Sequence, residues 1–445
     1  MKHTIQSLSI RYILTILFIA STFVSVYPQM PQVRIPQPST MTPGVQIGFP
    51  QKRQSNIPGN SINDVQSRQQ AEIMREVEVN ERRRRQETRQ TAIREYLRTH
   101  SIPLPDFTNA PGAEHFHTAR KEIIDMLEGR EKPCLKRAVF LTENAFFDNT
   151  MSYEQFDATI QQLKNLCLLK LEEDGLSLQD DMAKKMMIFQ VMTDEINVKE
   201  PGTEKMITHY PMKYDFDDYQ AEHDKRKYMI SKLLAENSGQ CHSLPLLFLI
   251  LAEELDTEAY ISYSPQHSFV KFKDDKGKWY DAELTQGAIV TDDFYMGSGF
   301  IKADAIRNGL FLEPRNIRQS IAHTLNDLSS YYVYRFGMDD FVRQNADTVL
   351  HYVPNDLNAY MILSNFHTDR AMYVLRACEV PSLESLPKYP QAQALYNKMI
   401  ESYAVLDSLG YEEMPSDVYQ DWLNRVNVEK EKPGNQPSFV KQIKK

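Results

Sequence analysis

The chain opens with a nearly unbroken apolar run over residues 12–26, preceded by Lys2, His3 and Arg11 and closed by Tyr27 and Pro28. At about 15 residues the run is shorter than the roughly 20 that a bilayer-crossing helix needs, and a basic stretch followed by a short apolar run and a break is the layout of an export signal. Residues 1–27 are therefore expected to be a signal peptide and the protein to be exported, periplasmic, secreted or envelope-associated. Membrane attachment is expected only through this segment, if it stays uncleaved. Residues 28–62 carry Pro31, Pro36, Pro38, Pro43, Pro50 and Pro58 among Gln, Ser and Gly, with few large apolar side chains, and read as an extended linker. From 64 to 98 the chain is rich in Glu, Gln and Arg, with weak apolar spacing at Ile93, Tyr96 and Leu97. The basic run Arg82 to Arg85 reads there as a solvated helix face.

From 114 to 195 the apolar period becomes helical, as in Ile123, Ile124 and Leu127, then Phe156, Ile160, Leu163 and Leu166, then Met182, Met186, Met187 and Val191. A further helix is predicted over 219–235. It stops at Glu236-Asn237-Ser238-Gly239, residues that tolerate left-handed backbone. A dense apolar run over 244–255 predicts a buried helix. Three strand-like segments follow at 259–263, 268–273 and 278–284, the last two joined by Asp274-Asp275-Lys276-Gly277 as in a hairpin. Residues 317–426 return to helical patterns with a repeat-like tone that suggests paired helices, and 427–445 is a polar, lysine-rich tail. Helices around a small antiparallel sheet make an α+β chain.

Composition narrows the function classes. The chain is 42% hydrophobic and 25% charged, ample for a globular body, and its net charge of −9 argues against a general nucleic-acid role, which needs a basic surface. Its four cysteines, Cys134, Cys167, Cys241 and Cys378, are widely spaced and form no CxxC or metal-ligand pattern, so neither a disulfide framework nor a metal or cofactor is expected. Cys134 and Cys167 sit in apolar helical contexts where a buried free thiol is the commoner outcome.

Cys241 is set apart by its place, directly after Gly239-Gln240 and at the start of the apolar helix. There the helix dipole and the unbonded N–H groups of the first turn favour thiolate over thiol and can hold a developing oxyanion. Taken alone, Cys241 reads more readily as a small core residue than as a nucleophile. His267 at the entry to the second strand and Asp281 in the third change that balance, because nucleophile, base and orienting acid then follow one another on helix, strand and adjacent strand. Glu283 competes with Asp281 for the acid's place. Gln240 and Gln220 are the oxyanion-donor candidates. Cys241, His242 and His267 as metal ligands would make a poor closed site, and His115, His117, His209 and His223 read as surface residues.

Gly239-Gln240-Cys241-His242-Ser243-Leu244-Pro245, Pro265-Gln266-His267-Ser268-Phe269-Val270 and Trp279-Tyr280-Asp281-Ala282-Glu283 resemble the transglutaminase-like superfamily in its SirB-type branch, as do Thr285-Gln286-Gly287 and Asn308-Gly309-Leu310-Phe311-Leu312. The resemblance covers residues 215–425. It implies a papain-like α+β core at 214–315 between a helical region at 63–213 and tetratricopeptide-like helices at 316–426. It also implies cysteine acyl-transfer chemistry on an amide or peptide bond through Cys241, His267 and Asp281. A peptide or protein would be the substrate, and the C-terminal helices offer a surface for a protein partner. A catalytically inactive descendant that binds peptides or partners is the rival reading.

The hairpin sets a geometric condition on any triad. A four-residue loop over 274–277 would pair Lys273 with Lys278 and turn Asp281 to the face opposite His267, because side chains alternate along a strand. An odd loop or a bulge, with Gly277 in the left-handed region, restores the shared face. One such register sets His267 opposite Glu283 with Asp281 one diagonal step away, and places Phe269 on the same face with Ser268, Val270 and Phe272 behind it.

Overall fold

The computed structural model describes residues 62–218, 221–297 and 300–415, with scattered positions up to 424; the predicted leader, the linker up to residue 61, Gln220 and the C-terminal tail lie outside them. The chain divides into two compact units at residues 93 and 94. The described part of the first belongs to the long helix α1 (Ile62–Thr99), whose last residues, 94–99, fall in the second. Its described side chains are exposed almost throughout, and Arg82 and Arg85 pair with Glu78 and Glu81 one turn back, the solvated face that the composition predicted.

The second unit continues with α2 (Ala113–Leu127), α3 (Leu135–Phe146), α4 (Tyr153–Glu173) and α5 (Asp181–Thr193). Ser152 and Asp180 cap α4 and α5 by accepting from Gln155 and Ala183 N–H groups. On α2 the buried residues Phe116, Ala119, Ile123, Met126 and Leu127 fall at helical spacing, which makes one apolar face. A hairpin of β1 (Ile196–Lys199) and β2 (Met206–His209) follows, then the two-residue strand β3 (Lys213–Tyr214).

The helix predicted over 219–235 is interrupted. A 3-10 turn occupies Lys225–Tyr228, Met229 is extended, and α6 runs over Ile230–Glu236. Two capping interactions explain the break. Asp224 accepts from Arg226 N–H at the start of the 3-10 turn, and the buried carboxylate of Glu143 on α3 accepts from Ile230 and Ser231 N–H at 2.6 and 2.9 Å, which starts a new helix there. Asn237 ends α6 in the left-handed region, as its stop signal predicted. Strand β4 (Ser238–Gly239) then pairs in parallel with β3.

Helix α7 (Ser243–Glu254) is the centre of the unit. Ten consecutive residues, Ser243 to Ala252, are buried, because α3, α4, α5 and α6 pack on it along with β5 (Tyr260–Ser264) and β6 (His267–Lys273). This accounts for an apolar run with no polar face. At about 1.5–3 kcal/mol for each large apolar side chain, α7 is a principal source of the driving force for folding. The sheet continues with β7 (Trp279–Glu283) and β8 (Ala288–Val290) in the antiparallel order β5-β6-β7-β8. Its two faces meet different cores: Val270 and Phe272 join α7 in the main one, whereas Phe269 packs with Tyr295, Ala305 and Leu310 in a second.

Short helices α8 (Asp292–Met296) and α9 (Ala303–Arg307) lead to α10 (Ile317–Phe336), α11 (Asp340–Tyr352), α12 (Leu357–Ala377) and α13 (Pro390–Leu409), each of these four packed on the next. Helix α10 also packs on α2 and α3, so helices from before and after the sheet share one core. The result is an α+β unit with helical flanks. Among the described residues, no helix is long and apolar enough to cross a membrane.

A buried polar knot ties the sheet to the C-terminal helices. Asp356 accepts from Arg315, from His323 Nδ1 at 2.7 Å, from Asn326 Nδ2 at 3.0 Å and from Ala359 N–H at 2.8 Å, while the Arg315 guanidinium lies over the Tyr263 ring of β5. Burial alone would raise the Asp356 carboxyl, but His323 and Arg315 outweigh it and hold it well below the carboxylate range. Asp356→Ala, which strands the buried Arg315 charge, is expected to cost about 3–5 kcal/mol in a denaturant titration.

Candidate active site

Cys241 lies where β4 passes into α7. The Gly239 carbonyl accepts from Asp215 N–H at 2.7 Å, Gln240 N–H donates to Ser243 Oγ at 3.1 Å, and Leu244 N–H reaches back to the Gln240 carbonyl at 3.0 Å. Cys241 therefore stands in the turn that leads directly into α7, two residues ahead of the helix that its sequence context predicted it to begin. A Cβ on Gly239 would come within 2.6 Å of Ser243 Oγ and 3.0 Å of Leu233 Cδ1, so the close approach of β4 to the helix requires glycine. From the sheet side, Ser268 Oγ donates to the Cys241 carbonyl and ties the thiol's backbone to β6.

His267 starts β6 and is buried. Its Nε2 lies 2.7 Å from Glu283 Oε2, and its ring interacts with the Cys241 side chain. With Nε2 turned to the carboxylate, Nδ1 is the nitrogen left to serve the sulfur. Glu283 is fully buried and held from two more sides: Oε1 accepts from Thr285 N–H at 2.8 Å, and Oε2 from the Tyr295 hydroxyl at 3.1 Å. The Tyr295 ring stacks on Phe269 at 3.7 Å, which fixes that hydroxyl.

Burial favours neutral imidazole, but the Glu283 carboxylate and Cys241 overcome it and push His267 up to about 10. Burial likewise works against the Glu283 anion, and the His267 charge outweighs it and holds the carboxyl below its ordinary range. At neutral pH the ring is thus an imidazolium, with a carboxylate on one nitrogen and a thiol within reach of the other. The remaining cysteines are unpaired and differ in kind: burial pushes the thiols of Cys134 and Cys378 up, and that of Cys167 to about 12.

The acid on His267 is Glu283, which corrects the assignment of Asp281. Five residues, 274–278, form the turn, with Gly277 at φ 78° and Asp274 Oδ1 accepting from the N–H groups of Lys276 and Lys278. The odd count sets His267, Phe269, Asp281 and Glu283 on one face, meeting the condition on strand parity. The register is nonetheless displaced from the one that would set His267 opposite Glu283: Lys271 pairs with Asp281, so Glu283 is diagonal to His267 and Asp281 lies one strand repeat farther, about 6.6–6.8 Å. Asp281 Oδ1 instead lies 3.5 Å from Lys271 Nζ.

Gln240 is also reassigned. Its side-chain Nε2 donates to the Asp217 and Asp218 carbonyls at 3.3 and 3.0 Å, so the amide clamps the preceding loop and does not face the thiol as an oxyanion donor. Tyr228, at the end of the 3-10 turn, was not singled out by the sequence. Burial raises its hydroxyl, and negative charge at Cys241 adds to that, so it stays protonated. Its ring lies 5.3 Å from that of His242, whose Nε2 is 3.3 Å from Asp327 Oδ1 on α10. Only the interruption of the predicted helix brings Tyr228 here, which is why spacing gave no sign of it.

His209 and His117 are half-buried, the former bonded to the Val191 carbonyl and the latter packed on Phe341, where a surface position was expected. Among the described residues, no group of three or more His, Cys, Asp or Glu side chains could hold a metal ion.

No described protein family matches this chain, and no curated protein does. Among solved structures, a crystal structure of menin, described as revealing the binding site for Mixed Lineage Leukemia (MLL) protein, aligns over 73% of this chain and 75% of its own at 13% identity and a TM-score of 0.37. So loose a superposition carries no argument about fold or function.

Two outcomes follow from this geometry. Gly239→Ala is expected to lose about 1–3 kcal/mol in thermal or denaturant unfolding, since Leu233 and Ser243 must both move. In an NMR titration of the His267 imidazole, Glu283→Gln should lower its pKa by roughly two units or more, whereas Asp281→Asn should leave it near the wild-type value. The sign for stability follows: the raised imidazole contributes fully below its unfolded value of about 6.5, and the contribution is lost as pH climbs through about 10.

Proposed function

We propose that this is an exported cysteine-dependent acyl-transfer enzyme of transglutaminase-like type, cleaving an amide or peptide bond and passing the acyl group to water or an amine. The observation that carries the reading is the buried His267 ring held between the Cys241 thiol and the Glu283 carboxylate. The Cys241 thiolate attacks the carbonyl carbon, and the tetrahedral oxyanion is met by N–H groups of the first turn of α7 and by the Tyr228 hydroxyl. His267, as imidazolium, protonates the departing amine and leaves a thioester. Neutral His267 then takes a proton from the incoming water or amine as the thioester is opened. Glu283 keeps the ring oriented and stabilises its charged form throughout, with Tyr295 and Thr285 holding the carboxylate still. Helices α10–α13 serve in this reading as a tetratricopeptide-like surface for a substrate or partner.

The rival, a silent peptide- or partner-binding module, is favoured by one observation: Cys241 is only 8% exposed, so a substrate must displace cover to reach the sulfur. Incubation with p-nitrophenyl acetate followed by peptide mass analysis separates the two. The enzyme reading expects a burst of p-nitrophenol and one acetyl group on Cys241, removable by hydroxylamine, with acylation slowed about 10²–10⁴-fold in His267→Ala. Acetylation spread over lysines, or unchanged by loss of His267, would place the binding module in front.

A further inference from the structure

Asp281, set apart from the triad, has surroundings of its own. It is 1% exposed; its Oδ1 faces Lys271 at 3.5 Å, while its Oδ2 accepts no hydrogen bond. It lines a cavity of about 130 Å³ together with Trp279, Thr291, Asp292 and Asp293. Lys271 Nζ also bonds Asp292 Oδ1, and Lys273 Nζ lies 4.6 Å from the centre of the Trp279 ring. Three carboxylates thus stand against two ammonium groups, an excess of one negative charge. A buried carboxylate oxygen without a donor is costly, and the cost is relieved by protonation or by a group that brings N–H or O–H to it. Since no cluster of metal-ligating side chains occurs among the described residues, the donor set points away from a metal ion. The cavity has room for roughly four waters' worth of atoms, which suits a few heavy atoms with a cationic head.

We propose that this cavity binds a primary ammonium group, whose N–H donors satisfy Asp281 Oδ2 and Asp293 while the Trp279 indole forms the apolar wall beside its carbon. The ligand is a small alkylamine or the end of a lysine side chain. The charge excess supplies the attraction, and charge-assisted hydrogen bonds to carboxylates supply the direction. Burial, reinforced by Asp292 and opposed by Lys271, raises the Asp281 carboxyl to about 7. The anion that receives the ligand is therefore complete above that pH and lost below it. The other charged groups at the cavity are Lys271, Lys273, Asp292 and Asp293. The site does not depend on thiol chemistry, so Cys241→Ala should bind as the wild type does.

The test uses the full chain with Trp422→Phe, which leaves Trp279 as the fluorescent reporter of the two tryptophans. Methylammonium chloride is titrated at matched ionic strength against potassium chloride, and N-acetyl-lysine amide is titrated in parallel. The expected result is a saturable Trp279 signal with methylammonium and none with potassium, tighter at pH 8.5 than at pH 5.5. Asp281→Asn should weaken it at least about tenfold and the exposed Asp293→Asn severalfold. Binding of the lysine amide as well assigns the site to a side chain, and binding of methylammonium alone assigns it to a free amine. Absence of saturation, an equal response to potassium, or no pH difference in the wild type would overturn the proposal, as would undiminished binding in either Asp variant.

Discussion

The arrangement rests on a charge pair kept out of water. His267 and Glu283 are both buried, and taking two such groups from solvent costs several kcal/mol each unless each keeps the other charged and every remaining lone pair is met. Here they are 2.7 Å apart, and Thr285 and Tyr295 meet the rest of the carboxylate. Much of the surrounding structure serves to hold that pair in place. Helix α7 anchors the thiol turn from one side of the sheet. Helix α8 brings Tyr295 onto the other, braced by Phe269.

The same constraint explains why the thiol turn is built so tightly. Gly239 permits β4 to touch the helix, Gln240 secures the loop before it, and Ser268 binds the Cys241 carbonyl to the strand that carries His267. A sulfur placed this way cannot drift from its base without breaking bonds on two elements. The Arg315–Asp356–His323 knot does for the C-terminal helices what these contacts do for the site, with fixed charges in place of packing alone.

Several features were legible in the chain itself. Helical periods at 114–195, the apolar run that became α7, the stop at Asn237 and the hairpin with Gly277 in the left-handed region all follow local rules. So did the parity condition that an odd turn had to satisfy. What stayed hidden depended on tertiary contacts. Local pattern stated the condition under which His267 and Glu283 share a face, but not the displacement of the ladder that gave Glu283 the imidazole and Asp281 to Lys271. Glu143 starts a new helix at Ile230 from 87 residues away, and Tyr228, outside a regular helix, lies against His242. Residue types carried no trace of that event.

The most direct measure of the thiol–imidazolium–carboxylate unit is the pH dependence of Cys241 alkylation by iodoacetamide, followed by peptide mass analysis in wild type and Glu283→Gln. A thiolate held by a charged ring should react at a rate that stays high well below the free thiol's pKa of about 8.5, and Glu283→Gln should shift that profile upward. A wild-type profile that rises only near the free thiol value, unchanged by Glu283→Gln, would contradict it.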